Sequence, residues 1–105
     1  MKIGINVWLD YDDDDLRFLA TKRDFHLKQF GQDVEKGYRK AIGLLRSASS
    51  QMEIRQFKGL RLEKVDYDFP GCHSVRINGQ WRLIIEFVKQ DDDQVIVVIK
   101  ITDYH

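Results

Sequence analysis

Apolar positions along the chain follow two periods, and the change from one to the other outlines its elements. Ile3, Ile5 and Val7 alternate with polar residues and lead into Trp8 and Leu9, which predicts an opening strand over Lys2 to Leu9. The spacing then lengthens, and Leu16, Leu19, Ala20, Leu27 and Phe30 predict a first helix that Gly31 breaks. Val34, Tyr38, Ala41, Ile42 and Leu45 follow at i, i+4, i+7, i+8 and i+11, the clearest helical stripe in the chain. That stripe fades in Ser47-Ala48-Ser49-Ser50, after which Met52, Ile54 and Phe57 predict one short helical turn. Strand-like runs then cover Leu60 to Val65, Ser74 to Asn78, Trp81 to Lys89 and Val95 to Tyr104, punctuated by Pro70-Gly71 and Asp91 to Asp93. The order predicts a small α+β domain, with an N-terminal strand and two helices packed on an antiparallel sheet of four to five strands. Its 105 residues suit a single domain, 1–105, with one hydrophobic core.

The hairpin Ser74 to Leu83 admits two registers. A two-residue Asn-Gly turn would oppose Arg76 to Trp81 and Val75 to Arg82. Opposed residues share a face, so that register mixes charge into the core. A three-residue loop, Asn78 to Gln80, opposes Ile77 to Trp81, Arg76 to Arg82 and Val75 to Leu83. It keeps one face apolar and sets two arginines side by side on a face expected to meet solvent. Two opposed arginines repel unless an anion lies between them, and a phosphate suits their bidentate grip.

Composition changes the picture in one respect. The net charge is zero, yet Asp10, Asp12 to Asp15 and Asp91 to Asp93 supply eight of the 17 acidic residues, and the rest of the chain carries +8. From Arg17 to Lys64 there are 12 basic and five acidic residues, a net of +7. A neutral total therefore conceals a basic surface from the two helices to Lys64, suited to phosphates or to an acidic protein. Asp12 to Asp15 precede a helix, where carboxylates interact well with the macrodipole, so a metal site is not expected there. Cys72 is alone, which leaves no internal disulfide and no cysteine-based zinc site. No apolar run is long enough for a membrane span and no signal peptide is evident, so a cytoplasmic protein without a membrane partner is expected.

Few residues invite chemistry. His26 sits among Lys22, Arg23 and Lys28 and reads as a surface residue of the first helix. Cys72 and His73 are neighbours on a strand and should point to opposite faces, so they cannot act as a nucleophile and base pair unless the backbone is irregular. No Gly-rich phosphate loop or nucleophile elbow is present. The segment Ile101-Thr102-Asp103-Tyr104-His105 is different, because it ends a strand that is apolar on both faces and should hold it firmly. Asp103 and the terminal carboxylate should both raise the His105 imidazole pKa, which favours a general acid.

The block His73-Ser74-Val75-Arg76-Ile77-Asn78-Gly79-Gln80-Trp81-Arg82-Leu83, with the ending Ile101-Thr102-Asp103-Tyr104-His105, resembles the HigB family of plasmid-maintenance killer toxins. Gly59-Leu60-Arg61-Leu62-Glu63-Lys64 is similar to the segment that precedes the hairpin in that family. The resemblance covers roughly the C-terminal half. It implies a RelE-like domain of the RelE/ParE superfamily and the toxin of a type II toxin–antitoxin system. The implied activity is ribosome-dependent, metal-free endoribonuclease cleavage of mRNA, with no cofactor. The implied partners are a helix-turn-helix, HigA-like antitoxin, the ribosome and mRNA. Family roles pass to Arg76 and Arg82 as phosphate and transition-state contacts, and to Asp103, Tyr104 and His105 as the proton-transfer and positioning group. Arg61 and Lys64 become substrate-binding candidates, and the general base stays open. Two alternatives share the fold: a ParE-like gyrase-binding toxin without nuclease activity, and an inactive relic that only binds antitoxin.

Overall fold

In the computed structural model, residues 7–65 and 68–103 are described. Strand β1 (Val7–Tyr11) leads to helix α1 (Asp14–Thr21), long helix α2 (Gln32–Ser47) and short helix α3 (Gln51–Gln56). A 3₁₀ turn (Lys58–Leu60) and strands β2 (Glu63–Val65), β3 (Cys72–Arg76), β4 (Trp81–Gln90) and β5 (Asp93–Asp103) follow. The five strands form one sheet in the order β1-β5-β4-β3-β2. The fold is thus a small α+β domain, as the periodicity predicts. Among the described residues no helix is long and apolar enough to cross a membrane.

The sheet differs from an all-antiparallel one at β1, which runs parallel to β5. β1 lies beside the last strand, and every intervening element serves as the crossover that a parallel pair requires. β1 also reaches past Leu9 to Tyr11, and the Asp12 N–H donates to the Val98 carbonyl at 2.9 Å. The part of the expected opening strand before Val7 lies outside the described residues.

The first helix is shorter than its apolar spacing suggests and ends at Thr21. Asp13 caps its start by accepting from the N–H groups of Asp15 (2.7 Å) and Leu16 (3.2 Å), so the aspartate run does the work of a helix N-terminus. At the other end the Arg39 guanidinium donates to the carbonyls of Leu19 (2.9 Å) and Phe25 (2.7 Å). A cation from α2 thereby satisfies carbonyls that further helix would have used. Leu27 and Phe30 consequently lie in the connecting segment, and so does His26. The Leu60 to Val65 run is also not one strand, because Arg61 takes a left-handed conformation (φ 46°) between the 3₁₀ turn and β2.

The core forms between α1, α2 and one face of the sheet. Tyr38, Ile42 and Leu45 of α2 pack with Val75, Leu83, Ile85, Ile96 and Val98. Each fully buried side chain of this size contributes about 1.5–3 kcal/mol. Tyr38 is fully buried, and its hydroxyl donates to the Leu16 carbonyl at 2.6 Å. Burial raises its phenol pKa strongly, so it acts as a donor that ties α2 to α1. α2 also approaches the hairpin closely at Gly37. A Cβ there would meet the Ile77 carbonyl oxygen at 2.6 Å, so only glycine fits.

Candidate functional site at the hairpin tip and the end of β5

The Ser74 to Leu83 hairpin adopts the three-residue loop. Arg76 pairs with Arg82 and Val75 with Leu83. The N–H groups of Ile77 and Asn78 both donate to the Trp81 carbonyl, at 3.0 and 3.3 Å. The loop is closed by one side chain: Asn78 Oδ1 accepts from the N–H groups of Gln80 (2.9 Å) and Trp81 (2.8 Å). An asparagine that replaces turn hydrogen bonds in this way makes a loop with central Gly79 sufficient.

β5 completes the site. Arg82 pairs with Thr102, and Trp81 pairs with Asp103. Arg76, Arg82 and Thr102 therefore form one row across three strands, on the sheet face away from the helices. Trp81 belongs to the helix-bearing face, where its ring meets Phe30 edge-on at 5.6 Å. Asp103 shares that side but sits at the exposed end of the strand. The Gln80 side-chain amide reaches it from the loop, with Nε2 donating to Asp103 Oδ2 at 3.1 Å. An extra residue, Ile99, lies opposite the Ile84–Ile85 step and resets the facing of the strand end. Gln80 and Ile99 are the contributors that sequence reasoning missed. Gln80 depends on strand pairing between distant segments, and a bulge leaves no periodic signal in a strand apolar on both faces.

The arginine face is less open than expected. Arg82 is only 7 % exposed, beside Ile84 at 2 %, whereas Arg76 is half-buried. The expectation of two solvent-facing arginines is therefore corrected for Arg82. Arg82 lies on β4, the middle strand of the sheet, between β3 and β5, so the neighbours on that face enclose its long stem. A desolvated guanidinium interacts more strongly with an incoming phosphate than an exposed one would. Arg76 has no ion-pair partner among the described residues, and its Nη2 lies 4.0 Å from where a Cβ on Gly79 would sit.

The remaining candidates are spread more widely. Lys64 pairs with His73, which pairs with Ile85, so Lys64 lies on an edge strand and its pairing belongs to the helix-bearing face. Arg61 is exposed at the bend before β2. The structure thus groups Arg76, Arg82 and the Asp103 strand end, and leaves Arg61 and Lys64 at the edge. Tyr104 and His105 lie outside the described residues.

His26 is exposed and lies in the connecting segment rather than in α1, with Nδ1 2.8 Å from Oε1 of the buried Glu35. Cys72 and His73 face opposite sides of β3. The thiol is pushed up by burial and by the Glu86 carboxylate, while the His73 ring packs edge-on against Phe87 at 5.0 Å. A thiol with a raised pKa is a poor nucleophile, which agrees with the sequence-based rejection of that pair. Among the described residues no group of three or more His, Cys, Asp and Glu side chains is placed to hold a metal ion.

Comparison with known proteins bears on this site. Residues 9–105 match the family described as the RelE-like toxin of type II toxin–antitoxin system HigB. Among solved structures, a YoeB/ParE toxin from Agrobacterium tumefaciens is similar with a TM-score of 0.55 and 17% identity, covering 93% of this chain and 99% of that one. A YoeB dimer from Staphylococcus aureus gives a TM-score of 0.45 and 19% identity, over 98% of this chain and 99% of that one. No curated protein matches the chain. The first structure supports the fold, and the family match extends across both the hairpin and the end of β5.

Proposed function

Because the chain belongs to the HigB family of RelE-like type II toxins, with an antitoxin as its partner, we propose that it cleaves mRNA on the ribosome. The observation that carries this reading is the direct pairing of Arg76 with Arg82, beside the strand end that bears Asp103. Two cations opposed across a hairpin are costly on their own and gain by gripping one phosphate group. RNA brings its own nucleophile. The 2′-oxygen forms a bond to phosphorus, the bond from phosphorus to the 5′-oxygen breaks, and the products are a cyclic phosphate and a free 5′-hydroxyl. One proton leaves the 2′-hydroxyl and another reaches the 5′-oxygen, so nothing in the scheme requires a metal ion.

In this reading Arg82 neutralises the charge that grows on the phosphoryl oxygens, and Arg76 holds the neighbouring phosphate. Preorganised donors of this kind are each worth on the order of 10²–10³ in rate. His105 serves as general acid for the 5′-oxygen, Tyr104 positions the phosphate or the base, and Asp103 orients the imidazole. A proton-transfer group contributes on the order of 10²–10⁴. Arg61 and Lys64 contact RNA beyond the cleavage centre. The antitoxin is a helix-turn-helix, HigA-like protein, and the complex resides in the cytoplasm.

Induced expression followed by primer extension on a defined mRNA tests the reading. Discrete breaks that require ribosomes are expected. Efficient cutting of naked mRNA with no gain from added ribosomes would refute ribosome dependence. Intact mRNA with poisoned DNA gyrase would refute nuclease activity altogether.

A further inference from the structure

The segment from Lys22 to Gly31, between α1 and α2, forms neither helix nor strand, and a segment of that kind is ordinarily loose. Here two side chains of α2 hold it. Glu35, 4 % exposed, accepts from the Leu27 N–H at 2.8 Å, and Arg39 donates to the Phe25 carbonyl at 2.7 Å. Leu27 is itself buried, and its carbonyl accepts from the Phe30 N–H at 3.1 Å. Gly31 follows at once and starts α2, its carbonyl accepting from the Val34 and Glu35 N–H groups, both at 3.1 Å. The backbone around Phe30 is therefore tied on either side. What this segment delivers to the sheet is the Phe30 ring, which meets Trp81 edge-on, with ring centroids 5.6 Å apart and planes at 83°.

Trp81 is where the parts of the site join. Its carbonyl accepts from the N–H groups of Ile77 and Asn78, and its own N–H donates to Asn78 Oδ1. It stands directly opposite Asp103, so the two side chains share a face, and Arg82 is the next residue along β4. The other arm of the hairpin already has its own support, since Gly37 lets α2 approach Ile77. We propose that Phe30 is a positioning residue for the cleavage site: its ring fixes the Trp81 indole, and Trp81 in turn fixes the strand end that bears Asp103. The inference rests on the nuclease reading given above. An edge-on pair orients both rings, because the positive edge of one meets the negative face of the other. A leucine in place of Phe30 would fill much of the same space and impose no orientation. Phe30 and Trp81 both lie at the margin of the core, only partly buried. Their contact therefore bears more on where Trp81 points than on whether the domain folds.

The chain has two tryptophans, and Trp8 is 55 % exposed on β1, so Trp8→Phe leaves Trp81 as the only fluorescent reporter. The test places further variants in that background of the full chain. It follows tryptophan emission, amide NMR shifts and mRNA cleavage on ribosomes. Phe30→Leu should move the Trp81 emission to longer wavelength and shift the amides of Arg82 and Asp103. It should lower kcat about tenfold while KM is kept, within the ~10²-fold that a misplacement of about 1 Å can cost. Phe30→Tyr keeps the ring and should restore all three readouts. Ile42→Val, which removes a methylene from the core, should lower the melting temperature and leave emission and kcat unchanged. Cleavage by Phe30→Leu with the parent kcat would overturn the proposal. Equal losses of kcat in Phe30→Leu and Ile42→Val would overturn it in favour of a general effect of stability. If the parent chain never cleaves mRNA, the nuclease reading fails by itself, and the Asp103 amide decides the rest. A shift there in Phe30→Leu but not in Ile42→Val supports the coupling, and no shift overturns it.

Discussion

Trp81 and Asp103 are paired across β4 and β5, so Asp103 belongs to the helix-bearing side of the sheet while Arg82, one residue beyond Trp81, belongs to the other. Asp103 and the arginine row meet only at the end of the strands. A phosphate held by Arg82 is therefore approached from the tip of the sheet, where the Asn78 loop and the end of β5 come together. The predictions that follow depend on this arrangement.

Arg82→Ala should abolish cleavage and growth arrest. It should also lower the unfolding free energy by about 0.5–3 kcal/mol, because the residue is 7 % exposed rather than on open surface. Arg82→Lys should recover most of that stability and little of the activity, since lysine lacks the bidentate fork. Urea denaturation alongside single-turnover cleavage separates the two effects.

Removing Tyr104 and His105 should leave folding and antitoxin binding intact and eliminate RNA cleavage. Growth arrest by the shortened chain, expressed without antitoxin, would show that the catalytic reading of these residues is wrong.

Gln80→Ala should reduce kcat by about tenfold, the order expected for loss of one hydrogen bond of about 1.4 kcal/mol. The lost contact is the 3.1 Å bond to Asp103, which is exposed, so the melting temperature should hardly move. Asp103→Ala in the same background should then cost no more than Asp103→Ala alone, as a double-mutant cycle would reveal.

Gly37→Ala sets a helix-propensity gain of about 0.5–1 kcal/mol against overpacking of about 1–3 kcal/mol. The clash is with the Ile77 backbone oxygen at 2.6 Å, which cannot rotate away. The clash should win. The variant should be less stable, and its hairpin amides should shift in NMR spectra even though no catalytic candidate has changed.

Acid sensitivity should trace in part to Glu35. Its carboxylate accepts from His26 Nδ1 and from the Leu27 N–H, both at 2.8 Å, and the His26 bond holds its pKa below the ordinary value of 4.5 despite the opposing effect of burial. A carboxyl with a lowered folded-state pKa gives stability that is present above the unfolded value and lost as pH falls through the folded one. Wild-type stability should therefore fall on acidification from about pH 5 downward, and Glu35→Gln should flatten that dependence. Chemical denaturation as a function of pH measures the slope. Because Glu35 and Arg39 together anchor the segment that brings Phe30 to Trp81, Glu35→Ala should cost about 2 kcal/mol and loosen the site from behind.

Local pattern alone makes much of this protein legible. The stripe from Val34 to Leu45 defines α2, because a 3.6-residue period admits one buried face. The hairpin register follows from Val75, Ile77, Trp81 and Leu83, because only one pairing keeps the apolar residues together. That pairing also brings Arg76 opposite Arg82. What lies between distant segments is decided by tertiary structure. The end of α1 depends on Arg39, 18 residues beyond Thr21, and the parallel placement of β1 depends on its pairing with Gln94 to Val98 of β5, at the far end of the sequence. Burial of Arg82 arises because its strand, β4, lies in the middle of the sheet between β3 and β5, which no local pattern encodes. The same holds for Gln80, whose partner Asp103 is 23 residues away. Periodicity records which face of an element is buried, whereas a site is built where several elements end, and those meetings are set by packing of the whole chain.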